Sequence, residues 1–180
     1  LTTQNFTTST DTFNTAVGYA AGKAVTTGLK NTLIGGLAGD ALTDADFNVA
    51  LGYASLTTDT LGSKSTAVGY AALNEQNFTT ATDALNTAVG FSAGEAVTTG
   101  VTNTFIGGRS GEASTDADLN TAVGFASLLL NTVGSNSVAI GNSALESQNP
   151  ATATNMYNTA VGSAAGAGLT TGTKNTFIGA

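Results

Sequence analysis

The side chains with the most chemistry to offer are carboxylates, twelve of them against five Lys and Arg. Four form two short pairs, Asp44/Asp46 and Asp116/Asp118, with Asp40 and Glu112 nearby in sequence. Clustered oxygens of this kind are what a hard cation such as calcium takes as ligands. The spacing matches neither an EF-hand loop nor the Gly-rich nonapeptide calcium repeat. The plainer reading is a solvated acidic turn that keeps neighbouring molecules from adding sideways. Paired carboxylates also cleave glycans, but they must share one cleft and sit in different environments. Here the acids recur along the chain, as surface decoration does. The chain therefore reads as non-catalytic, with no cofactor and no metal.

Other residue types narrow the choice further. Cys is absent, which removes disulfides, thiolate metal sites and thiol nucleophiles. His is absent too, and with it the commonest general base. No Gly lies between a strand and a helix in a Rossmann or Walker pattern. The formal charge is −7, and Lys23, Lys30, Lys64, Arg109 and Lys174 are scattered rather than striped, so nucleic acid is not an expected partner. No apolar run is long enough for a spanning helix and no stretch of these residues reads as a signal peptide, so membrane insertion is not expected.

What positions all these residues is a pentapeptide, first met as Asn14-Thr15-Ala16-Val17-Gly18 and returning at 31, 48, 65, 86, 103, 120, 137, 158 and 175. Its fifth residue is always Gly and its fourth always Val, Ile or Leu; its first is Asn except at Ser65 and Ser137. Starts are 17 residues apart, with 21 after every fourth, which sets a 72-residue super-repeat above the short one. A fixed period marks a repeat architecture. The chain reads as one array over 1–180, with super-repeats 4–75, 76–147 and a partial 148–180. Leu1 matches Leu73 under the longer period and Ala180 follows directly on a pentapeptide, so a piece of a longer chain is expected.

Seventeen residues are too few for two antiparallel helices. Thr, Val, Ile and Gly punctuated by Asn suggest short strands between turns. The expected fold is all-β: a parallel β-solenoid (β-roll) of about ten coils, each a flat turn with two short strands. Stacked coils place like above like about 4.8 Å apart. The aliphatic residues then make one ladder and the Asn amides another, bonded up and down the stack. The ladder residues are Asn14, Val17 and Gly18; Asn31, Ile34 and Gly35; Asn86, Val89 and Gly90; Asn103, Ile106 and Gly107; then Ile140, Gly141, Val161 and Gly162. The Gly marks either a positive φ or a close chain.

Two volume patterns ride on the period. The third residue is usually Ala with an aromatic sixth, but becomes Leu33 with Gly36, Phe105 with Gly108 and Phe177 with Ala180. The ninth alternates in step, as Gly22, Gly39, Leu56, Leu73 and again from Gly94. This predicts one shared, densely filled space. The eighth residue is always small, which suggests an edge that another chain approaches. Thin coils have little core of their own, so oligomerisation is expected.

The longer turns, 74–85 with equivalents 2–13 and 146–157, are the candidate surface contacts, represented by Gln76, Asn77, Phe78 and Asp83. Insertions in solenoids map to loops on one face, often the binding face. The dull alternative for Phe78 and Phe6 is that each ring tucks back over the stack.

The stretch Asn136-Ser137-Val138-Ala139-Ile140-Gly141-Asn142-Ser143-Ala144 resembles the head repeats of trimeric autotransporter adhesins. Asn-Thr-Ala-Val-Gly-Tyr-Ala-Ala at 14–21 resembles repeats of phage tail fibres and related surface fibres. The coils are longer than is typical of adhesin heads, and the four-coil super-repeat is a departure that tilts the reading towards the phage-fibre branch. The resemblance implies a left-handed roll and a homotrimer. It also implies a structural shaft, extracellular or on a virion, that extends a host-recognition or attachment tip. The alternative is a bacterial adhesin head that binds a cell-surface glycan or protein receptor through its lateral loops.

Overall fold

A computed structural model describes residues 4–180, so Leu1 lies outside the described residues. Those residues form a parallel β-solenoid with no helix among them. Each pentapeptide supplies one three-residue strand: Thr15–Val17, Thr32–Ile34, Val49–Leu51, Thr66–Val68, Thr87–Val89, Thr104–Ile106, Thr121–Val123, Val138–Ile140, Thr159–Val161 and Thr176–Ile178. They join in sequence order into one ten-stranded parallel sheet. Register is one to one, Thr15 on Thr32 and Val17 on Ile34, and the longer interval does not shift it, since Thr66 pairs Thr87 and Val68 pairs Val89. The four extra residues are therefore absorbed entirely outside the sheet.

The expected second strand of each coil is mostly absent. The far wall is a run of turns bonded coil to coil, as in Thr26 N–H to Thr43 O (3.0 Å) and Thr43 N–H to Thr60 O (2.9 Å). Among the described residues it becomes a true strand pair only where Gly62–Ser63 meets Thr82–Asp83 and Gly134–Ser135 meets Thr154–Asn155.

The backbone explains the invariant Gly. From Gly18 to Gly179 its φ lies between 117° and 143°, a region closed to other residues. From Gly18 to Gly162 a Cβ there would also overlap the carbonyl of the next coil's glycine. Both expected reasons hold at once. Three further positions per coil are left-handed without needing Gly: the residue before Asn, the seventh and the ninth, as in Lys30 (57°), Leu37 (60°) and Leu56 (52°). Each conformation costs about 1–2 kcal/mol. Each frees an N–H for a neighbouring coil: Lys30 to Thr12 O (2.8 Å), Leu37 to Tyr19 O (2.8 Å), Leu56 to Ala72 O (3.0 Å).

Alternation along the strand decides what is inside. The third residue points inward, and Leu33, Ala50, Ala67, Ala88, Phe105 and Ala122 are fully buried. The ninth joins it there: Leu56, Leu73, Leu128 and Leu145 are also fully buried. These two positions trade volume. Phe105 fills the room left by two glycines, since a Cβ on either Gly94 or Gly111 would run into its ring. Leu33 and Gly39 repeat the arrangement, as do Phe177 and Gly166. The sixth residue takes no part, because it lies outside the coil: Tyr53 and Phe91 are more than half exposed. The small eighth residue is not an edge for another chain either. Ala21, Ala38, Ala72 and Ala93 are buried within the coil, where its walls run close.

Candidate functional site

Two ladders flank the sheet. The first is polar and internal. Asn31, Asn86 and Asn103 are buried, and Asn14 is partly so. Each Asn does two things. Its Oδ1 accepts the next coil's backbone N–H, as Asn14 does from Asn31 (2.8 Å) and Asn86 from Asn103 (2.9 Å). Its Nδ2 donates across the coil to the far wall, as Asn31 does to Ala45 O (2.7 Å). The amide therefore bonds one coil to the next and ties the two walls of its own coil together, where no water could replace it.

At Ser65 and Ser137 the amide is missing, and the long turn supplies it. Gln76 is fully buried; its Oε1 accepts from Asn86 Nδ2 (2.9 Å), and its Nε2 donates to Ser65 Oγ (3.1 Å) and Asp59 Oδ2 (2.6 Å). Gln148 takes the same place between Asn158 (2.8 Å) and Asn131 (3.2 Å). Gln76 is thus no surface contact. Its signal was readable: each Ser in the first position is followed by a long interval carrying a Gln.

Phe78 is not a surface contact either. It is buried beneath the turn against Gly62, where its backbone N–H donates to Asp59 Oδ1 (3.0 Å). In the next super-repeat Pro150 and Met156 stand where Phe78 and Ala84 stand in this one, both pressed on Gly134. Asn77 is half-buried. Asp83 is exposed and pairs with Lys64. The projecting residues are 79–81 and their equivalents 151–153.

The acidic pairs are occupied by the stack. Asp46 Oδ1 accepts from Leu29 N–H (2.7 Å) and Asp118 Oδ1 from Val101 N–H (2.8 Å). Asp44 and Asp116 accept from the Thr27 and Thr99 hydroxyls one coil away. Among the described residues, no group of three or more acidic side chains converges. Asp40 differs: partial burial pushes its carboxyl above the usual range, offset in part by a backbone hydrogen bond and by Lys23. Its counterpart Glu112 pairs with Arg109 at 2.7 Å.

The second ladder is apolar and external. The Val/Ile/Leu residues stack in register, but none of the ten is buried, and Val17, Leu51, Ile106, Ile140 and Ile178 are exposed by 40% or more. Two parallel columns widen the stripe. On one side stand the sixth residues, where Tyr53, Tyr70 and Phe91 stack with centroids 5.8 and 5.1 Å apart. On the other stand the residues before Asn, with Phe13, Phe47, Leu85, Leu119 and Tyr157 exposed. Scattered apolar residues on a surface are ordinary; a continuous band of them marks an interaction site. The residues before Asn escaped notice in the sequence, although every second one is large and apolar.

No family model, no curated protein and no solved structure matches the chain.

Proposed function

We propose that this chain is a non-catalytic shaft segment of a fibre, assembled from three copies, that carries an attachment tip away from its base as a phage tail fibre or similar extracellular filament does. The observation that carries the reading is the exposed aliphatic and aromatic band along one side of every coil. Nine steps of ~4.8 Å make the band about 43 Å long, and six steps from the residue before Asn to the sixth make it up to ~20 Å wide. That gives roughly 850 Å², about what one partner contributes to a stable protein interface. Lys30, Lys64 and Lys174 stand in the column before Asn, but all twelve carboxylates lie outside the band, and that acidic surface keeps the assembled rod soluble. Its work is mechanical: coil-to-coil bonds resist bending, and copy number sets reach.

Electron microscopy of the purified chain tests this. Particles of constant width that lengthen by about 19 Å (four coils of ~4.8 Å) with each added duplicate of 76–147 are expected. A length that does not grow with coil number, or a width that grows with it, would contradict it.

The second reading is an adhesin, and the repeated projection of 79–81 and 151–153 favours it. These tips would meet a glycan or protein on a cell surface. Replacing both with Gly-Ser segments should abolish cell binding under the adhesin reading and leave rod formation intact under either.

A further inference from the structure

The exposed band repeats with every coil, so two copies could slide past one another by a coil with little change in the central aliphatic column. Slipped copies do not close; they grow open filaments. Something must break the translational equivalence.

The edges of the band do so for a slip of one coil. Call the residue before Asn the leading edge and the sixth residue of the pentapeptide frame the trailing edge. In the first, third, fifth and seventh coils the leading edge is Phe13, Phe47, Leu85 and Leu119, all exposed by 47% or more. The trailing edge of the same coils is Tyr19, Tyr53, Phe91 and Phe125, all exposed by 54% or more. In the second and sixth coils the leading edge is polar, Lys30 and Thr102, and the trailing edge is Gly36 and Gly108. These glycines have no left-handed φ to explain them. They leave a gap in the aromatic column: a Cβ would lie 3.2 Å from the Tyr53 ring at Gly36 and 3.4 Å from the Phe125 ring at Gly108.

We infer that the two edges of the exposed band form a matching code that excludes a one-coil slip between neighbouring copies of this chain; a two-coil slip, which sets Phe47 against Tyr19, Leu85 against Tyr53 and Leu119 against Phe91, is excluded by closure of the ring of copies instead. The inference rests on the fibre reading. Where parallel copies ring a common axis with their bands inward, the leading edge of one meets the trailing edge of the next. With coils level, four of the five large apolar residues meet aromatic rings and Lys30 and Thr102 meet the glycines, while the fourth coil sets Lys64 on Tyr70 and the ninth sets Tyr157 on Ser163. A slip of one coil sets Phe13 against Gly36, Leu85 against Gly108 and Leu119 against Asn142, and leaves only Phe47 facing a ring. The opposite slip sets Phe47 against Gly36 and Leu119 against Gly108, and leaves only Leu85 facing one. Apolar groups left without a partner keep their water, and polar groups driven onto rings lose theirs.

The chain has no Cys, so engineered cross-linking reads the register directly. Phe47→Cys with Tyr53→Cys tests level coils. Phe47→Cys with Tyr70→Cys, and Lys64→Cys with Tyr53→Cys, test the two slips. Leu119→Cys with Phe125→Cys repeats the level test should the first pair fail to fold. After mild oxidation, the level pairs should run as three linked chains on a denaturing gel, at least tenfold faster than either slipped pair. Equal or faster linking of a slipped pair, or no linking while the native mass remains that of three copies, overturns the inference and leaves the fibre reading standing. A native mass of one chain overturns both.

Discussion

The two faces of the same short strand obey opposite rules. Inward, the third residue varies from Ala to Leu to Phe, and the ninth varies with it to keep the volume filled. Outward, the fourth residue is always aliphatic, yet none of the ten is buried within the chain. An interior tolerates variation when compensation lies within reach, because what it requires is total volume. A surface column held to one residue class has no such compensation inside the coil. Under the proposed fibre, the constraint on the outer column comes from neighbouring copies.

The backbone that both faces share should be the easiest thing to break. Gly90 combines a φ of 143° with the Gly107 carbonyl where its Cβ would go. Gly90→Val should cost well over 3 kcal/mol, with two backbone clashes and no flexible neighbour to yield, and the purified chain should lose cooperative unfolding in guanidinium.

The inner rule sharpens next. Phe105→Ala should lose about 3–5 kcal/mol in the same titration. Adding Gly111→Leu recreates the Ala-with-Leu arrangement of Ala122 and Leu128, and should recover more than half the loss. No recovery would show that the two positions do not share a space.

The outer rule predicts a different signature. Val68→Asp and Val89→Asp together should lower the assembled mass while the β-sheet circular dichroism is kept. An unchanged mass would mean that the band is not the contact.

The internal amide ladder lies between these extremes. Gln76→Ala should cost about 1–3 kcal/mol, because Asn86, Ser65 and Asp59 each lose a buried partner. An equal change at exposed Thr79 should cost almost nothing.

Asp40 offers the smallest effect. Its raised pKa means that the folded state prefers the protonated carboxyl, so the stability present below the ordinary Asp range is lost as pH rises through the Asp40 pKa. Asp40→Asn should raise Tm slightly at pH 7, and the gain should vanish in acid. A gain independent of pH would assign the effect elsewhere.

The stacking was legible from the period alone, because 17-residue spacing, an invariant Gly and an aliphatic fourth residue together admit few folds. The direction of the side chains was not. A three-residue strand between Asn and Gly has no alternation long enough to say which of Ala16 and Val17 faces in, and the larger residue faces out. The fate of Phe78 was foreseen as the plainer alternative, since an apolar ring in a polar turn has little else to do. Gln76 was misplaced because its partner Ser65 lies eleven residues back, across a coil that only the fold closes. The left-handed Leu, Lys and Ala residues were invisible, since such conformations ordinarily call for Gly or Asn.

The central claim is that the outer aliphatic column is covered by further copies of this chain. Sedimentation equilibrium of the isolated chain at micromolar concentration addresses it most directly. A single species of three times the chain mass is predicted; a stable monomer with its Tyr and Val band open to water would contradict the account.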